Sequence, residues 1–359
     1  MTNNNQEQLS LLMNRIGEFT DCAVIFDDTD RRYFTSMKSS DGTLVVFKDQ
    51  AYLIIDSRYY EKASKVVKGA KVLLQVDLYL QLNKLIKKHS AEKISVDHSK
   101  LTVEELLSLK QMLGREIDYS GDLAKCIKEI RAVKHQCEID CMIAAQRIAE
   151  KGFEHMFEFI KAGKTEKEIQ LELDFYMLSH GAEALSFDTI ALSGANTSMP
   201  HGVPSEKEVK AGEFVLMDFG AVVEGYHSDM TRTVCVGEPD EEMKKIYDIV
   251  LRAQTESIKA VKAGIDAKAL DAVARKIITD EGYGKCFGHS LGHGVGMDIH
   301  ETPFASPKSK DVLAENMIVT VEPGIYIPDK FGVRIEDFVI VKNDGCINMT
   351  EAPKQLIVL

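Results

Sequence analysis

Residues 214–236 read Phe214-Val215-Leu216-Met217-Asp218-Phe219-Gly220-Ala221-Val222-Val223-Glu224-Gly225-Tyr226-His227-Ser228-Asp229-Met230-Thr231-Arg232-Thr233-Val234-Cys235-Val236. Two β-rich runs, 215–220 and 227–235, flank Glu224-Gly225, a pair suited to a hairpin turn. A two-residue turn there sets Asp218 opposite Thr231 and Asp229 opposite Gly220. Side chains alternate along a strand, so Asp218 and Asp229 share one face as diagonal neighbours, about 7–8 Å apart at Cα. Two carboxylates on one face repel and are costly to bury. Their neighbours Val215, Leu216, Met217 and Phe219 are apolar, which argues against a solvated strand edge. A cation between the two acids would remove the cost.

Two further signals lie downstream. Three of the ten histidines fall in His289-Ser290-Leu291-Gly292-His293-Gly294-Val295-Gly296 and the following His300-Glu301-Thr302-Pro303. Neutral imidazole is a common ligand for divalent transition metals, and the glycines around His293 allow close backbone approach. In Val319-Thr320-Val321-Glu322-Pro323-Gly324 an apolar strand ends in a carboxylate. Gly332-Val333-Arg334-Ile335-Glu336-Asp337 opens another strand, and an antiparallel return would bring Glu322 near Glu336. Asp218, Asp229, Glu322, Glu336 and His293 form an oxygen-rich set. It suits manganese, cobalt or iron better than a closed structural zinc site. Four carboxylates with a hydroxide balance two divalent ions better than one, and such ions sit about 3.5–4 Å apart.

The rest of the chain bounds the answer. Its 359 residues are 45% hydrophobic and 28% charged, with a net charge of −12. That is the composition of a soluble globular protein of about two domains. The acidic balance argues against nucleic acid as a partner. No apolar run approaches the roughly 20 residues of a membrane span, and the polar start has no secretory pattern. Seven scattered cysteines read as free thiols in a reducing cytoplasm. Cys137 and Cys141 share a helix face, but nothing nearby completes a metal site.

Strand and helix signals alternate over residues 1–123, which reads as an α/β domain. Its candidate strands lie at 22–26, 42–47, 51–56, 72–76 and 93–96, with a helix over 78–88. From Ala124 a helical pattern runs unbroken towards Ala162. Thr165 and Glu168 then open a second helix as a capping box. Helices over 240–263 and 267–281 interrupt later strands, so 124–359 reads as an α+β domain carrying the chemistry.

The order Asp218, Asp229, His293, Glu322, Glu336 resembles the ligand set of the pita-bread (creatinase/aminopeptidase) metallopeptidases, the family of aminopeptidase P, prolidase and methionine aminopeptidase. Further matching pieces are Ser198-Met199-Pro200-His201-Gly202 and Ser228-Asp229-Met230-Thr231-Arg232-Thr233. The resemblance spans about residues 124–355. More loosely, Arg32-Tyr33-Phe34-Thr35 and Asp56-Ser57-Arg58-Tyr59 resemble the creatinase-type N-terminal α/β domain of proline-specific members. The resemblance implies two divalent ions, manganese foremost, with cobalt, iron or zinc as alternatives. It implies that Asp218 chelates one ion, Asp229 and Glu336 bridge, and His293 and Glu322 complete the other site. A metal-held hydroxide would attack the scissile carbonyl, with Glu322 as proton shuttle. His201 and His300 would serve the tetrahedral intermediate, and His289 would line the substrate pocket. Thr231 and Arg334 would orient the carboxylates, although Arg334 has a plainer reading as an ion pair with Asp337 or Glu336.

The expected activity is hydrolysis of the Xaa-Pro bond, at the N-terminus of peptides or in dipeptides, by a cytoplasmic homodimer that binds neither nucleic acid nor membrane. A methionine aminopeptidase, a metal-free creatinase-like amidinohydrolase and an inactive binding module are the rivals. Proline asks for an apolar wall, for which the sequence offers Leu291, Val295 and Phe304 beside His289, His293 and His300. The N-terminal domain is expected to close one side of the cleft across the dimer.

Overall fold

In the computed structural model, which describes the backbone of residues 2–359 and side chains from residue 5, the chain divides into two units, Met1–Arg131 and Ala132–Leu359. This division lies eight residues beyond the seam expected after residue 123.

The first unit opens with helix α1 (Thr2–Ile16). Its sheet is built from β1 (Cys22–Ile25), β2 (Thr43–Phe47), β3 (Ala51–Ile55), β4 (Ala70–Leu74) and β5 (Ile94–Val96), in the order β4-β3-β2-β1-β5. β1 to β3 are buried at every position, which is why they read as continuous apolar runs rather than alternating ones. β4 begins two residues before the apolar run that marked it. Its residues are half-buried or exposed, as suits an edge strand. Helices α2 (Asp28–Thr35), α3 (Ser57–Val66) and α4 (Leu78–Lys88) lie between these strands in sequence, and α5 (Val103–Leu113) and α6 (Asp122–Ala132) follow them. Asp56 of the second N-terminal motif caps α3, taking the Arg58 backbone N–H. Asp30 on α2 and Arg131 on α6 form a buried ion pair at 2.7 Å.

The helical pattern from Ala124 does not continue through. It breaks between α6 and α7 (Gln136–Phe159). At the break Val133 forms an isolated antiparallel bridge with Met317. The Glu138 carboxylate takes the His135 backbone N–H and starts α7 afresh. Helical spacing persists across the gap because both helices bury one face, so periodicity alone does not reveal the break.

α7 pairs with α8 (Glu166–Ser179), and α9 (Glu241–Ala260) with α10 (Ala267–Asp280). Thr165 and Glu168 form the expected capping box of α8. The strands in the first half of the second unit are β6 (Ala184–Leu185), β7 (Ile190–Ser193), β8 (Glu213–Phe219), β9 (Ala221–Val223), β10 (Tyr226–His227) and β11 (Met230–Val236). The later ones are β12 (Gly292–Gly294), β13 (Glu301–Ala305), β14 (Ile318–Val321), β15 (Gly324–Ile327), β16 (Phe331–Arg334), β17 (Asp337–Lys342) and β18 (Gly345–Asn348).

Each helix pair covers its own core. Val215, Met217 and Phe219 of β8 and Met230, Val234 and Val236 of β11 pack under α7 and α8. Val319, Val321, Ile325, Val333 and Val339 pack under α9 and α10. Strand alternation turns the intervening residues the other way: Asp218 and Thr231 from the first set, Thr320, Tyr326 and Arg334 from the second. The apolar faces thus fix which polar side chains meet. All seven cysteines are free thiols. Among the described residues no helix is long and apolar enough to cross a membrane.

Candidate metal centre

Thr231 pairs with Asp218 and Met230 with Phe219 in the β8–β11 ladder, and His227 pairs with Val222 beyond it. This is the register that a two-residue turn at Glu224-Gly225 dictates. Both turn residues have positive φ, 52° and 86°, as a type I′ turn requires. Gly220 is needed where the strands kink. A Cβ there would stand 2.0 Å from the Ser228 carbonyl oxygen.

The segment 318–340 folds as one long antiparallel excursion. Val321 pairs with Asp337 in β14–β17, and Gly324 pairs with Arg334 in β15–β16. Both ladders share one register, so Glu322 and Glu336 face each other where the pairing is interrupted. His293 sits on β12, whose backbone lies against Thr320. A Cβ on Gly292 would come 2.0 Å from the Thr320 carbonyl oxygen, and the Thr320 hydroxyl takes the His293 N–H at 3.0 Å.

The five residues line one cavity of about 470 Å³. Asp229, His293 and Glu336 each place a ligand atom within 4.8 Å of the others, and all three are buried. His293 Nδ1 faces the Gly294 carbonyl at 3.0 Å, so it carries the proton. The lone pair at Nε2 then points into the centre, 3.6 Å from Asp229 Oδ2 and 3.5 Å from Glu322 Oε1. Burial holds this imidazole down to about 4, so it is neutral at physiological pH.

The carboxylates are out of balance by themselves. Burial, then repulsion from Asp218 and Glu322, raises Asp229 well above the ordinary range. Burial and Asp229 do the same to Glu336, and burial raises Glu322 to about 8. Asp218 Oδ1 is buried with no hydrogen-bond partner. Crowded acids, an orphaned carboxylate oxygen and an imidazole lone pair converging on one cavity fit a divalent cation centre.

Arg334 does not pair with Asp337 or Glu336. It donates from one terminal nitrogen to Asp218, from the other to the Tyr326 hydroxyl at 2.7 Å, and from Nε to Thr231 at 3.0 Å. Asp337 is held instead by Arg232 and Lys354, each at 2.8 Å. The Thr231 hydroxyl donates a hydrogen bond to Glu336 at 2.7 Å. Thr231 and Arg334 therefore both touch carboxylates of the centre.

His201, His289 and His300 all face the cavity. His201 and His300 are exposed and open to a ligand. The His293 and His300 rings lie 4.3 Å apart, edge to face. His289 Nε2 meets the Tyr326 hydroxyl at 2.9 Å. The apolar wall differs from expectation. Leu291 and Val295 are fully buried and do not line the cavity. Regular alternation would put both on the His293 side, but the β12–β13 register shifts between His293 and Gly294. Phe187, Ile190 and Ile299 join Phe304 as the lining instead.

Sequence reasoning missed Tyr326 and Arg232. Tyr326 links His289 to Arg334, and Arg232 ties the Glu336 carbonyl to Asp337 and the C-terminal segment. Alternation within β15 offered a signal for Tyr326, since Ile325 and Ile327 are apolar on the other face. Arg232 lies inside the matched motif, but nothing local announces that it is buried.

Residues 140–343 match the model of metallopeptidase family M24, and residues 7–133 that of the creatinase/prolidase N-terminal domain. A peptidase of Bacillus subtilis, YqhT, described as uncharacterized, is 38% identical over 98% of this chain and 99% of its own length. A solved Xaa-Pro dipeptidase from Bacillus anthracis superposes with a TM-score of 0.94 at 39% identity, covering 100% of both chains. An X-Pro aminopeptidase from Thermotoga maritima superposes at 0.89 with 36% identity, over 95% of this chain and 98% of its own. The α+β catalytic unit thus has the pita-bread fold, preceded by a creatinase-type α/β domain, and the chain belongs to metallopeptidase family M24.

Proposed function

We propose that this protein is a dinuclear metallopeptidase that hydrolyses the bond preceding proline, in Xaa-Pro dipeptides or at the N-terminus of longer peptides. The observation that carries the reading is the convergence of four carboxylates and the His293 lone pair on one apolar-walled cavity. Asp218 and Asp229 would hold one ion, and His293 and Glu322 the other, with Asp229 and Glu336 shared. Two divalent ions in that place would supply Lewis acidity to the scissile carbonyl and lower the pKa of a water towards neutrality.

The chain's own groups do the rest. Glu322, which lines the same cavity, is placed to accept a proton and return it. His201 and His300 reach the cavity from opposite stretches of sequence, placed to donate to the carbonyl oxygen or to the departing nitrogen. Thr231 and Arg334 fix the carboxylates by hydrogen bonds. A bond to proline has no N–H to satisfy, so the walls after the scissile bond need no acceptor. Phe187, Ile190, Ile299 and Phe304 provide such a wall. The names of the Bacillus anthracis and Thermotoga maritima structures point to the same Xaa-Pro bond. The complete ligand set favours this reading over a metal-free amidinohydrolase or an inactive binding module. Manganese is the proposed metal, in keeping with the oxygen-rich ligands. We take the working form to be a cytoplasmic homodimer, as the family resemblance implies.

The test compares Xaa-Pro with Xaa-Ala peptides, before and after chelation. Xaa-Pro should be cleaved at least about tenfold faster by kcat/KM, equivalent to about 1.4 kcal/mol in the transition state. Chelation should abolish activity, and manganese or cobalt should restore it. Equal rates on the two substrates, full activity without metal, or a strict need for N-terminal methionine would overturn the proposal.

A further inference from the structure

Glu166, the first residue of α8, is fully buried, yet it lies outside the metal centre. Its carboxylate is surrounded by donors. Oε1 takes the Ser193 backbone N–H at 2.7 Å, the Ser193 hydroxyl at 3.1 Å and the Asn196 amide at 3.0 Å. Oε2 takes the Asn196 amide at 3.2 Å, the Ser205 backbone N–H at 3.1 Å and the Ser205 hydroxyl at 2.7 Å. These donors sit at both ends of one excursion of the chain. Ser193 ends β7, Asn196 lies in the short 3-10 turn Gly194–Ser198, and Ser205 stands where the chain returns. The excursion between them carries Pro200 and His201 to the cavity wall.

The carboxylate's two oxygens offer about four lone-pair sites and no proton, which matches a ring of donors. A glutamine has the same length but would turn an NH₂ group towards those N–H and O–H donors and leave some of them buried and unpaired. The position at a helix N-terminus further favours the negative charge. Glu166 thus closes the base of the His201 excursion, much as Asp271 and Arg275 fasten the segment of His289. There Asp271 takes the Leu291 N–H at 3.1 Å, and Arg275 donates to the His289 carbonyl at 2.9 Å.

We propose that Glu166 is a positioning residue for the reaction: by gathering Ser193, Asn196 and Ser205 it holds His201 in place against the substrate. This rests on the reading of His201 as a donor in peptide hydrolysis. An error of about 1 Å in the placement of such a group can cost on the order of a hundredfold in rate.

The test uses the full-length, manganese-loaded protein with an Xaa-Pro peptide. Variants E166Q, H201A, S205A and the double E166Q/H201A are compared by kcat, KM and metal content. E166Q should lower kcat about 10–100-fold with KM nearly unchanged and both ions retained. S205A, which trims one hydroxyl, should lower kcat less and in the same way; it carries the test should E166Q fail to fold. The double variant should be no slower than H201A alone, because groups that act through one another are not additive. Multiplying losses in the double variant, loss of metal in E166Q, or unchanged kcat in both E166Q and S205A would overturn the proposal. A fully active H201A would overturn it too, by removing the role of His201, while the wild-type rate on Xaa-Pro peptides would still stand as the separate measure of the proposed reaction.

Discussion

The buried Arg334 and the half-buried Asp218, 116 residues apart in sequence, form an ion pair that leaves Asp218 Oδ1 without a partner. One guanidinium therefore anchors one oxygen of the carboxylate and leaves the other directed into the cavity. Without Arg334 a half-buried carboxylate would stand uncompensated.

Replacing Arg334 by Ala should destabilise the metal-stripped protein by about 2–3 kcal/mol, below the usual cost of breaking a fully buried pair from one side, because Asp218 is only half-buried. The metal-loaded protein should lose less, since bound cations take over the charge of Asp218. Urea denaturation of both forms measures this. A loss below about 1 kcal/mol in the stripped form would contradict the assignment.

His300→Ala should keep both metal ions, because His300 is exposed beside His293 rather than part of the buried ligand group. Its kcat should fall about 10²–10⁴-fold, the range for a lost acid, base or oxyanion donor. Metal analysis with steady-state kinetics decides the matter. Loss of an ion would make His300 a ligand, and unchanged kcat would make it structural.

His289 should stay neutral across the physiological range. Burial, then the nearby Arg334, lowers it from 6.5 to about 4. An unfolded chain therefore binds more protons at this site than the folded one between those values. Its contribution to stability is fully present above pH 6.5 and is lost as pH falls towards 4. NMR of histidine-labelled, zinc-loaded protein should show no His289 titration between about pH 5 and 8. A midpoint near the unperturbed value would refute this.

Gly220→Ala should be severely destabilising, at or beyond the upper end of the roughly 1–3 kcal/mol of ordinary overpacking. The added Cβ would meet backbone rather than a movable side chain, at 2.0 Å. A denaturation midpoint equal to wild type would show that the kink after β8 relaxes freely.

The ladder between β8 and β11 follows from local sequence alone, because a two-residue turn at Glu224-Gly225 admits one register and alternation does the rest. The sequence also singled out Asp218, Asp229, His293, Glu322 and Glu336, which line one cavity, since acids and an imidazole among apolar residues are costly to bury without a compensating charge. Local patterns placed α4 and the capping box of α8 correctly. Other features depend on contacts between residues far apart in the chain and have no local signature. The pairing of Val133 with Met317 breaks a helical pattern that would otherwise run on. The wall of the cavity is Phe187, Ile190, Ile299 and Phe304, while Leu291 and Val295 go to the core. Arg334 chooses Asp218 over its chain neighbours Glu336 and Asp337 because strand alternation turns Arg334 and Asp218 to the same side, while Arg232 and Lys354 already occupy Asp337. Glu166 reads in sequence as one more acid in the first turn of a helix. Only the folded chain brings Ser193, Asn196 and Ser205 around it, where their donors favour a carboxylate.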